Sequence, residues 1–506
     1  MKHLHFMGIA GIGMSGLARW AHADGFMVSG CDRSDNATMQ ALEALGIRTY
    51  VGHDASHLEP STLPAVNSPA VNSPAVNSPA VNSPVDNPVN SPVDSLVCSM
   101  AVPNDHPEIV AARARGVRVR YRIELLADLL ASRRAIAISG THGKSTTTGM
   151  VSQVFLGSGV DASALIGGHS PYLQARNCEQ GAAHEGLASN IYYGQDDVFI
   201  AEIDESDPGF AQVASELAIV TNLEDDHIAG DFDERRNYHA SLADLEAAVR
   251  AFTQKAKCSL YCADWPELAA HIDGNGNTFS YGFAKGADYQ AQEVVLEPTS
   301  SHFVLTYPAA KGVGLPVQLA VPGKHNVQNA VAALAAAHIF GLDMTQAAAA
   351  LASFAGVGRR WQRLGSWRGA LVIDDYAHHP TEVRVTLEAA KRTGKRVRAV
   401  LQPHRWVRTA RHWRALADAA CLADEVLVLD IYAAGETPIA GVSSEAIAER
   451  VHAAGVSARY YDAAAAERYL LQSLAGNDLI ITLGAGDVWK VGRNLLSACG
   501  GDDGSA

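Results

Sequence analysis

Ile136-Ala-Ile-Ser-Gly140-Thr-His-Gly143-Lys144-Ser145-Thr-Thr-Thr148 is the stretch on which the reading of this chain turns. Ala135 to Ile138 is a short apolar run suited to a buried strand, and the polar segment after it opens an amphipathic pattern through Met150, Val151 and Phe155. The order is strand, loop, helix. Gly140 and Gly143 carry no Cβ, so amides at the start of the helix, helped by its dipole, are free to point at phosphate oxygens. Thr141, His142 and Thr146 complete the loop. Lys144 supplies a point charge for the outer phosphates, and the Ser145 hydroxyl a ligand for a magnesium ion. A full P-loop has a further glycine five positions before Gly143, where this chain has Ile138, so the motif is a shortened Gly-Thr-x-Gly-Lys-Ser form.

Downstream, Asp197 to Ala201 reads as a buried strand that delivers Glu202, Asp204, Glu205, Ser206 and Asp207 at its C-terminal end. Leu217 to Thr221 repeats the pattern and ends in Asn222-Leu-Glu224-Asp225-Asp226-His227. Ligands of open α/β sheets collect at those strand ends, so the carboxylates are expected to meet a metal held by Ser145, with His227 on a second cation. One acidic cluster alone is ordinarily a solvated loop. Two, each directly after a buried strand and both following a phosphate loop, point to a metal-nucleotide site. Asn326 and Asn329 then open an alanine-rich helix to Ile339 on one face, where two carboxamides suit a purine edge or, alternatively, a helix cap. These features define a central ATP-binding domain over about residues 134–355.

Residues 1–133 begin with a strand, His3 to Met7, then Gly8-Ile-Ala-Gly11-Ile-Gly13-Met-Ser-Gly16, and Asp32 follows a second strand, Met27 to Cys31. Gly11, Gly13 and Gly16 form the dinucleotide-type fingerprint, which serves NAD, FAD or a UDP-sugar alike because the amides see only the pyrophosphate. Close strand-helix packing is the alternative use of such glycines. Residues 64–94 carry a proline about every five positions, which breaks helix and sheet ladders alike; a disordered surface insertion without catalytic role is expected. Residues 356–506 bring Arg359 and Arg360, then Asp374-Asp375-Tyr376-Ala-His378-His379, and Arg405, Arg408 and Arg411 at helical spacing. In an acidic protein such basic concentrations suggest anionic ligands. Strands and helices alternate here too, which indicates a third largely parallel sheet.

At 506 residues the chain is long enough for several cores, and 48% hydrophobic with 19% charged residues fits a globular protein. A net charge of -14 disfavours general binding to nucleic acid or anionic membranes. The seven cysteines are scattered without paired zinc-type spacing, which suggests a reduced cytoplasm. Met1 to Phe6 runs straight into a strand without a signal-peptide pattern, and no apolar run reaches membrane-spanning length.

Taken jointly, Gly8–Gly16, Gly140–Thr148, 202–207, 221–227, 325–329, 356–360, 374–382, 402–409 and 432–436 resemble the Mur ligase family over nearly the whole chain except the proline repeat. The resemblance implies three α/β domains, each a largely parallel sheet flanked by helices: a Rossmann-like domain for a UDP-sugar, a P-loop ATPase-like centre and a Rossmann-like amino-acid domain. It implies an ATP- and Mg2+-dependent cytoplasmic ligase of peptidoglycan precursor synthesis, a monomer or weak homodimer. The chemistry it implies is that ATP phosphorylates the lactyl carboxylate of UDP-N-acetylmuramate and the amine of L-alanine then attacks the acyl phosphate. By that resemblance Lys144, His227, Arg359 and His378 are catalytic, and Ser145, Glu202 and His227 hold metal. Gly140 to Thr146, Asn326, Asn329 and Asp375 take ATP. Gly11, Gly13, Gly16 and Asp32 take the sugar nucleotide, while Tyr376, His378, Arg405 and Arg408 surround alanine; the base for the amine stays unassigned. Ser145 stands where relatives often carry threonine, and Ile228-Ala229-Gly230 replaces their usual sequence after the histidine. A murein tripeptide recycling ligase shares most of these motifs, but residues 402–409 and 432–436 favour the alanine-adding branch. An NAD-dependent oxidoreductase built on Gly11, Gly13, Gly16 and Asp32 leaves the second phosphate loop, the acidic clusters and the asparagine pair unexplained.

Overall fold

Three sheets, of five, ten and seven strands, follow one another along the chain in the computed structural model. It describes residues 2–59, 92–100, 102–179, 190–230, 238–272, 277–310, 312–499 and 502–503, and most of the 64–94 repeat lies outside them. The first sheet contains β1 (His3–Met7), β2 (Met27–Asp32), β3 (Arg48–Val51), β4 (Ser95–Cys98) and β5 (Arg118–Tyr121). Its order is β3-β2-β1-β4-β5, parallel throughout. Strand order reverses beside β1, so the glycine loop that leaves β1 opens at the topological switch point, where such sheets take their ligands.

The second sheet contains β6 (Arg134–Ser139), β7 (Ser163–Leu165), β8 (Ile191–Tyr192), β9 (Val198–Glu202), β10 (Ser215–Val220), β11 (Ala256–Cys262), β12 (Thr278–Gly282), β13 (Tyr289–Leu296), β14 (Ser301–Thr306) and β15 (Leu315–Leu319). The order is β15-β14-β13-β12-β11-β10-β6-β9-β7-β8, parallel from β13 to β7 and antiparallel at both edges. The third contains β16 (Gln362–Trp367), β17 (Ala370–Asp375), β18 (Arg396–Leu401), β19 (Glu425–Val428), β20 (Ser457–Tyr460), β21 (Asp478–Leu483) and β22 (Asp502–Asp503). It runs β20-β19-β18-β21-β17-β16-β22, parallel from β20 to β17. Every sheet is largely parallel, as the alternation of elements predicts. Among the described residues no helix is long and apolar enough to cross a membrane.

β6 is central and dry: Ala135 to Ile138 are fully buried, as an apolar run covered on both faces requires. The helix Lys144–Gly157 is buried from Ser145 to Leu156 and packs on the helix Lys324–Ile339, whose residues Ala330 to Ala337 are buried without exception. Two glycines of the helix Lys144–Gly157 make room for the chain that follows the helix Lys324–Ile339. A Cβ on Gly149 would lie 2.8 Å from Val357, and one on Gly157 2.7 Å from Ala350.

An apolar seam joins the first sheet to the second. Trp20, on the helix Ile12–Ala23, stacks on Phe199 of β9 at 4.0 Å and on Tyr193 at 4.6 Å. Asn190 Nδ2 donates to the Ile12 carbonyl at 2.8 Å. Gly16 belongs to this seam: a Cβ there would lie 2.9 Å from both Asn190 Nδ2 and Leu165 Cδ1. Its lack of a side chain serves packing. Trp20→Ala is expected to destabilise this unit by ~3–5 kcal/mol, read as an earlier urea transition than in the parent protein.

Candidate active site

Register sets the site. β6 pairs with β9 so that Ile138 faces Glu202, and with β10 so that Ser139 faces Val220. The loop after β6 therefore leaves the sheet between the two acidic strand ends. Gly140 has φ +126°, and a Cβ there would run into Thr221 Oγ1 and lie 2.9 Å from backbone atoms of Thr221 and Asn222. Gly143, at φ +82°, starts the helix. The loop is stapled to the end of β10: Thr221 Oγ1 donates to the His142 carbonyl at 2.6 Å, His142 N to Asn222 Oδ1 at 2.7 Å, and Glu224 N to Thr141 Oγ1 at 2.9 Å.

Lys144 Nζ donates to the carbonyls of Gly140 and Thr141, at 2.8 and 3.1 Å, and pairs with Glu205 at 2.7 Å. Burial works against its charge, but Glu205, Asp204 and Glu202 overcome it and raise its pKa. Burial pushes the Glu205 carboxyl up to about 7, against the pull of Lys144 and with Asp204 adding to the rise. Ser145 Oγ donates to Glu202 Oε1 at 3.0 Å, and Gly167 N donates to the other Glu202 oxygen at 2.7 Å. His227 Nε2 stands 3.7 Å from Glu205, while its buried Nδ1 has no hydrogen-bond partner. Burial first, with Arg408 and Lys144 adding to it against Asp226, lowers its pKa to about 4, so the ring is neutral near pH 7 and fit to ligate a cation. Glu205, between Lys144 and His227, was visible in sequence only as one acid among several.

All three sheets border one cavity of about 900 Å3. Gly13 lines it from the first, Thr141, Lys144, Ser145, Glu202 and His227 from the second, and Arg359, Tyr376, His378, Arg405 and Arg408 from the third. A smaller cavity of about 130 Å3 is lined by His142, Gly143, Thr146, Asn326, Asn329 and Asp375. Gly11, Gly16 and Asp32 line neither; the Asp32 carboxylate accepts from Ala10 N at 2.9 Å and Arg33 N at 2.7 Å, bracing the glycine loop.

Three family models match in chain order: Mur ligase family, catalytic domain, over residues 3–134; Mur ligase middle domain over 138–337; and Mur ligase, glutamate ligase domain, over 359–486. The chain belongs to the Mur ligase family. It is similar to the UDP-N-acetylmuramate--L-alanine ligase of Deinococcus radiodurans, 41% identical over 497 residues, which are 98% of this chain and 93% of that protein. The ligase of the same name from Syntrophotalea carbinolica is 35% identical over 502 residues, 98% of this chain and 97% of the relative. Among solved structures, the UDP-N-acetylmuramate-alanine ligase of Thermotoga maritima superposes with a TM-score of 0.75 at 26% identity, covering 98% of this chain and 99% of its own. A murein peptide ligase from Psychrobacter arcticus shares the fold at TM-score 0.66 and 24% identity, with 99% of each chain covered.

In this Mur ligase several charged groups meet partners other than those expected. Arg408, read as a ligand for an anion, makes a two-pronged ion pair with Asp226 at 2.8 and 3.1 Å, both side chains 4% exposed. Arg411 pairs with Asp225 at 2.7 Å, and Arg405 Nη1 lies 3.5 Å from Glu436. The acidic loop after β10 docks on the arginine-bearing helix Trp406–Ala420, which charge counted along one element does not reveal. Arg359 lines the large cavity, yet its guanidinium is taken up by Asp374 at 3.0 Å and by the carbonyls of Gly484 and Gly486 at 2.6 and 3.0 Å. Arg360 lines both cavities, 5.0 Å from the Tyr376 ring and 3.5 Å from Glu382. His378 Nδ1 is 2.9 Å from the Tyr376 carbonyl, and burial lowers its pKa to about 3. Asp375 accepts from Trp361 N at 2.7 Å and Ala377 N at 2.8 Å, with burial raising its pKa to about 6. Asn326 Nδ2 donates to the Pro322 carbonyl at 2.6 Å, and Asn329 Oδ1 accepts from Thr147 at 3.1 Å.

His142 joins the second sheet to the third, with Nε2 2.8 Å from Glu224 and Nδ1 3.1 Å from Glu382. Glu382 also accepts from His378 N at 3.0 Å, and Thr381 Oγ1 donates to Glu224 at 2.7 Å. Burial opposes the charge on His142, but Glu382 and Glu224 outweigh it and raise the pKa from 6.5 to about 9. A raised histidine stabilises fully below its unfolded pKa and loses that contribution as pH rises through the folded value. The thermal midpoint is therefore expected to fall between pH 6.5 and 9, by at most ~3 kcal/mol of stability, and His142→Gln to flatten the fall.

Proposed function

We propose that this Mur ligase joins L-alanine to the lactyl carboxylate of UDP-N-acetylmuramate, driven by ATP. The carrying observation is that Lys144, Glu202 and His227 border one cavity together with Gly13 of the first sheet and His378 of the third. The near full-length similarity to two UDP-N-acetylmuramate--L-alanine ligases supports the choice of substrates. Residues 1–133 take the sugar nucleotide, 134–355 the ATP and 356–506 the amino acid.

A carboxylate resists nucleophiles, so it is activated first. A carboxylate oxygen bonds to the γ-phosphorus, the bridging oxygen-phosphorus bond breaks, and ADP leaves. The amine nitrogen then attacks the acyl carbon, the bond to the phosphate oxygen breaks, inorganic phosphate leaves, and the amine gives up a proton. Both steps need positioning and charge stabilisation more than covalent help from the protein. Lys144, held by Glu205 and two carbonyls, turns to the outer phosphates. The residues present fit Mg2+: Ser145 Oγ and Glu202 Oε1 are hard oxygen donors 3.0 Å apart, and neutral His227 keeps an unpartnered buried Nδ1 for a second ion. When bound, the ion neutralises the phosphate tail. Asn326, Asn329 and Asp375 hold the adenosine in the smaller cavity, and Arg360, which lines both cavities, meets the transferring phosphoryl group more readily than Arg359, whose guanidinium is bound to Asp374 and to the carbonyls of Gly484 and Gly486. Arg122, 3.4 Å from Asp204, lines the large cavity near Gly13 and faces the sugar nucleotide. Tyr376, His378 and Arg405 form the alanine side. The six cysteines with described side chains are free, which supports a reducing, cytoplasmic setting.

A phosphate-release assay with UDP-N-acetylmuramate and ATP tests this reading. L-Alanine is expected to sustain turnover and Lys144→Ala to reduce it by ~10²–10³-fold or more. Turnover with murein tripeptide and none with L-alanine would move the protein to the recycling branch.

A further inference from the structure

Four metal-ligating side chains converge beneath the glycine loop of the first sheet, and none of them lines either cavity. His5 comes from β1, Cys31 from β2, His57 from the short helical turn Ala55–Leu58, and Glu108 from the first turn of the helix Pro107–Ala114. Each offers one donor atom within 4.8 Å of the other three. Cys31 Sγ is 3.5 Å from both Glu108 oxygens, His5 Nε2 is 3.4 Å from Glu108 Oε1, and His57 Nδ1 is 3.7 Å from that oxygen. His5, Cys31 and Glu108 are fully buried, and the His57 side chain is 12% exposed.

The nitrogens facing this point, His5 Nε2 and His57 Nδ1, are buried and make no hydrogen bond. Such orphans are costly unless something accepts their lone pairs. The outer nitrogen of His5 is already fixed: Nδ1 lies 2.8 Å from Ser29 Oγ, the type of contact that orients a metal-bound imidazole and leaves Nε2 for the ion. His57 is held by stacking on Tyr50 at 4.4 Å. Met7, Leu58, Leu96 and Ile109 pack about the cluster, and on its outer side His53 Nδ1 lies 3.1 Å from Cys31 Sγ and 3.5 Å from Glu108 Oε2. One thiolate and one carboxylate neutralise one divalent cation, so a filled site carries no net charge into this interior.

We propose that Cys31 Sγ, His5 Nε2, His57 Nδ1 and Glu108 form a closed structural Zn2+ site. One sulfur, two nitrogens and one oxygen make a four-ligand set suited to tetrahedral zinc, and all four ligands are protein, which leaves no open position for chemistry. Binding releases the Cys31 proton to solvent. The site has a mechanical consequence, because the Cys31 carbonyl accepts from Gly8 N at 2.8 Å and Ile9 N at 3.0 Å: an ion on the thiolate ties β2 to the loop that leaves β1.

The test uses the full chain, stripped with a chelator and titrated with Co2+ alone as a spectroscopic substitute. A thiolate-to-cobalt charge-transfer band and tetrahedral absorption in the visible are expected, saturating at one equivalent and abolished by Zn2+. The hydroxyl, carboxylate and imidazole groups of the active site include no thiolate and give no such band. Cys31→Ser should remove the band, and His57→Asn, at the edge of the cluster, should weaken cobalt binding by at least ~10-fold. A wild-type chain with no charge-transfer band, a band that survives Cys31→Ser, or unchanged affinity in His57→Asn overturns the proposal. Should Cys31→Ser fail to fold, as judged by circular dichroism, the His57→Asn titration decides.

Discussion

Everything in the site depends on β6 lying between β9 and β10 in a fixed register. That arrangement releases the phosphate loop between two strands that both end in carboxylates, so one cation, Lys144, faces Glu205 at 2.7 Å with Asp204 and Glu202 nearby. A buried lysine among acids is stable only while its charge is matched, and removing a partner from such a pair is strongly destabilising. A triphosphate tail with its metal exchanges one set of anions for another around the same ammonium, which keeps that balance. The two positive-φ glycines serve the same constraint, since at Gly140 there is no room for a Cβ against Thr221 and Asn222.

The two seams around the central sheet differ in kind. Toward the first sheet the contact is apolar, with Trp20 stacked on Phe199 and Tyr193. Toward the third, besides a small apolar cluster of Ala229, Tyr238 and Val407, it is ionic and hydrogen-bonded: His142 between Glu224 and Glu382, Arg408 on Asp226, Arg411 on Asp225, and Tyr238 donating to Glu436 at 2.8 Å. Separated ion pairs recover hydration, whereas a separated aromatic stack exposes apolar surface, so the two seams respond differently to being opened. Of the groups that join the third sheet to the centre, His142, Glu382, Asp226 and Arg408 also border the cavities. Docking and site assembly are therefore one event, and the protonation of His142 bears on both.

Much of this was legible in the sequence because it is local. The phosphate loop, the strands before the acidic clusters and the helix opened by Asn326 fall within a residue or two of where apolar runs and glycines place them. Partner choice was not legible. Asp226 and Arg408 are 182 positions apart, and His142 and Glu382 are 240 apart. Counting arginines on one helix predicted an anionic ligand, whereas tertiary docking supplied a carboxylate from the protein itself. Gly16 matched a nucleotide fingerprint but its missing side chain admits Asn190 and Leu165. The convergence of His5, Cys31, His57 and Glu108 has no spacing signature either, since each ligand comes from a different element.

The most direct test of the central claim is a crystal structure of the full chain with a non-hydrolysable ATP analogue and Mg2+. The terminal phosphate should lie within ~3 Å of Lys144 Nζ, the ion between Ser145 and Glu202, and the base in the smaller cavity beside Asn326 and Asn329. A nucleotide seated instead on the Gly8 to Gly13 loop, with Lys144 still paired to Glu205, would contradict the account.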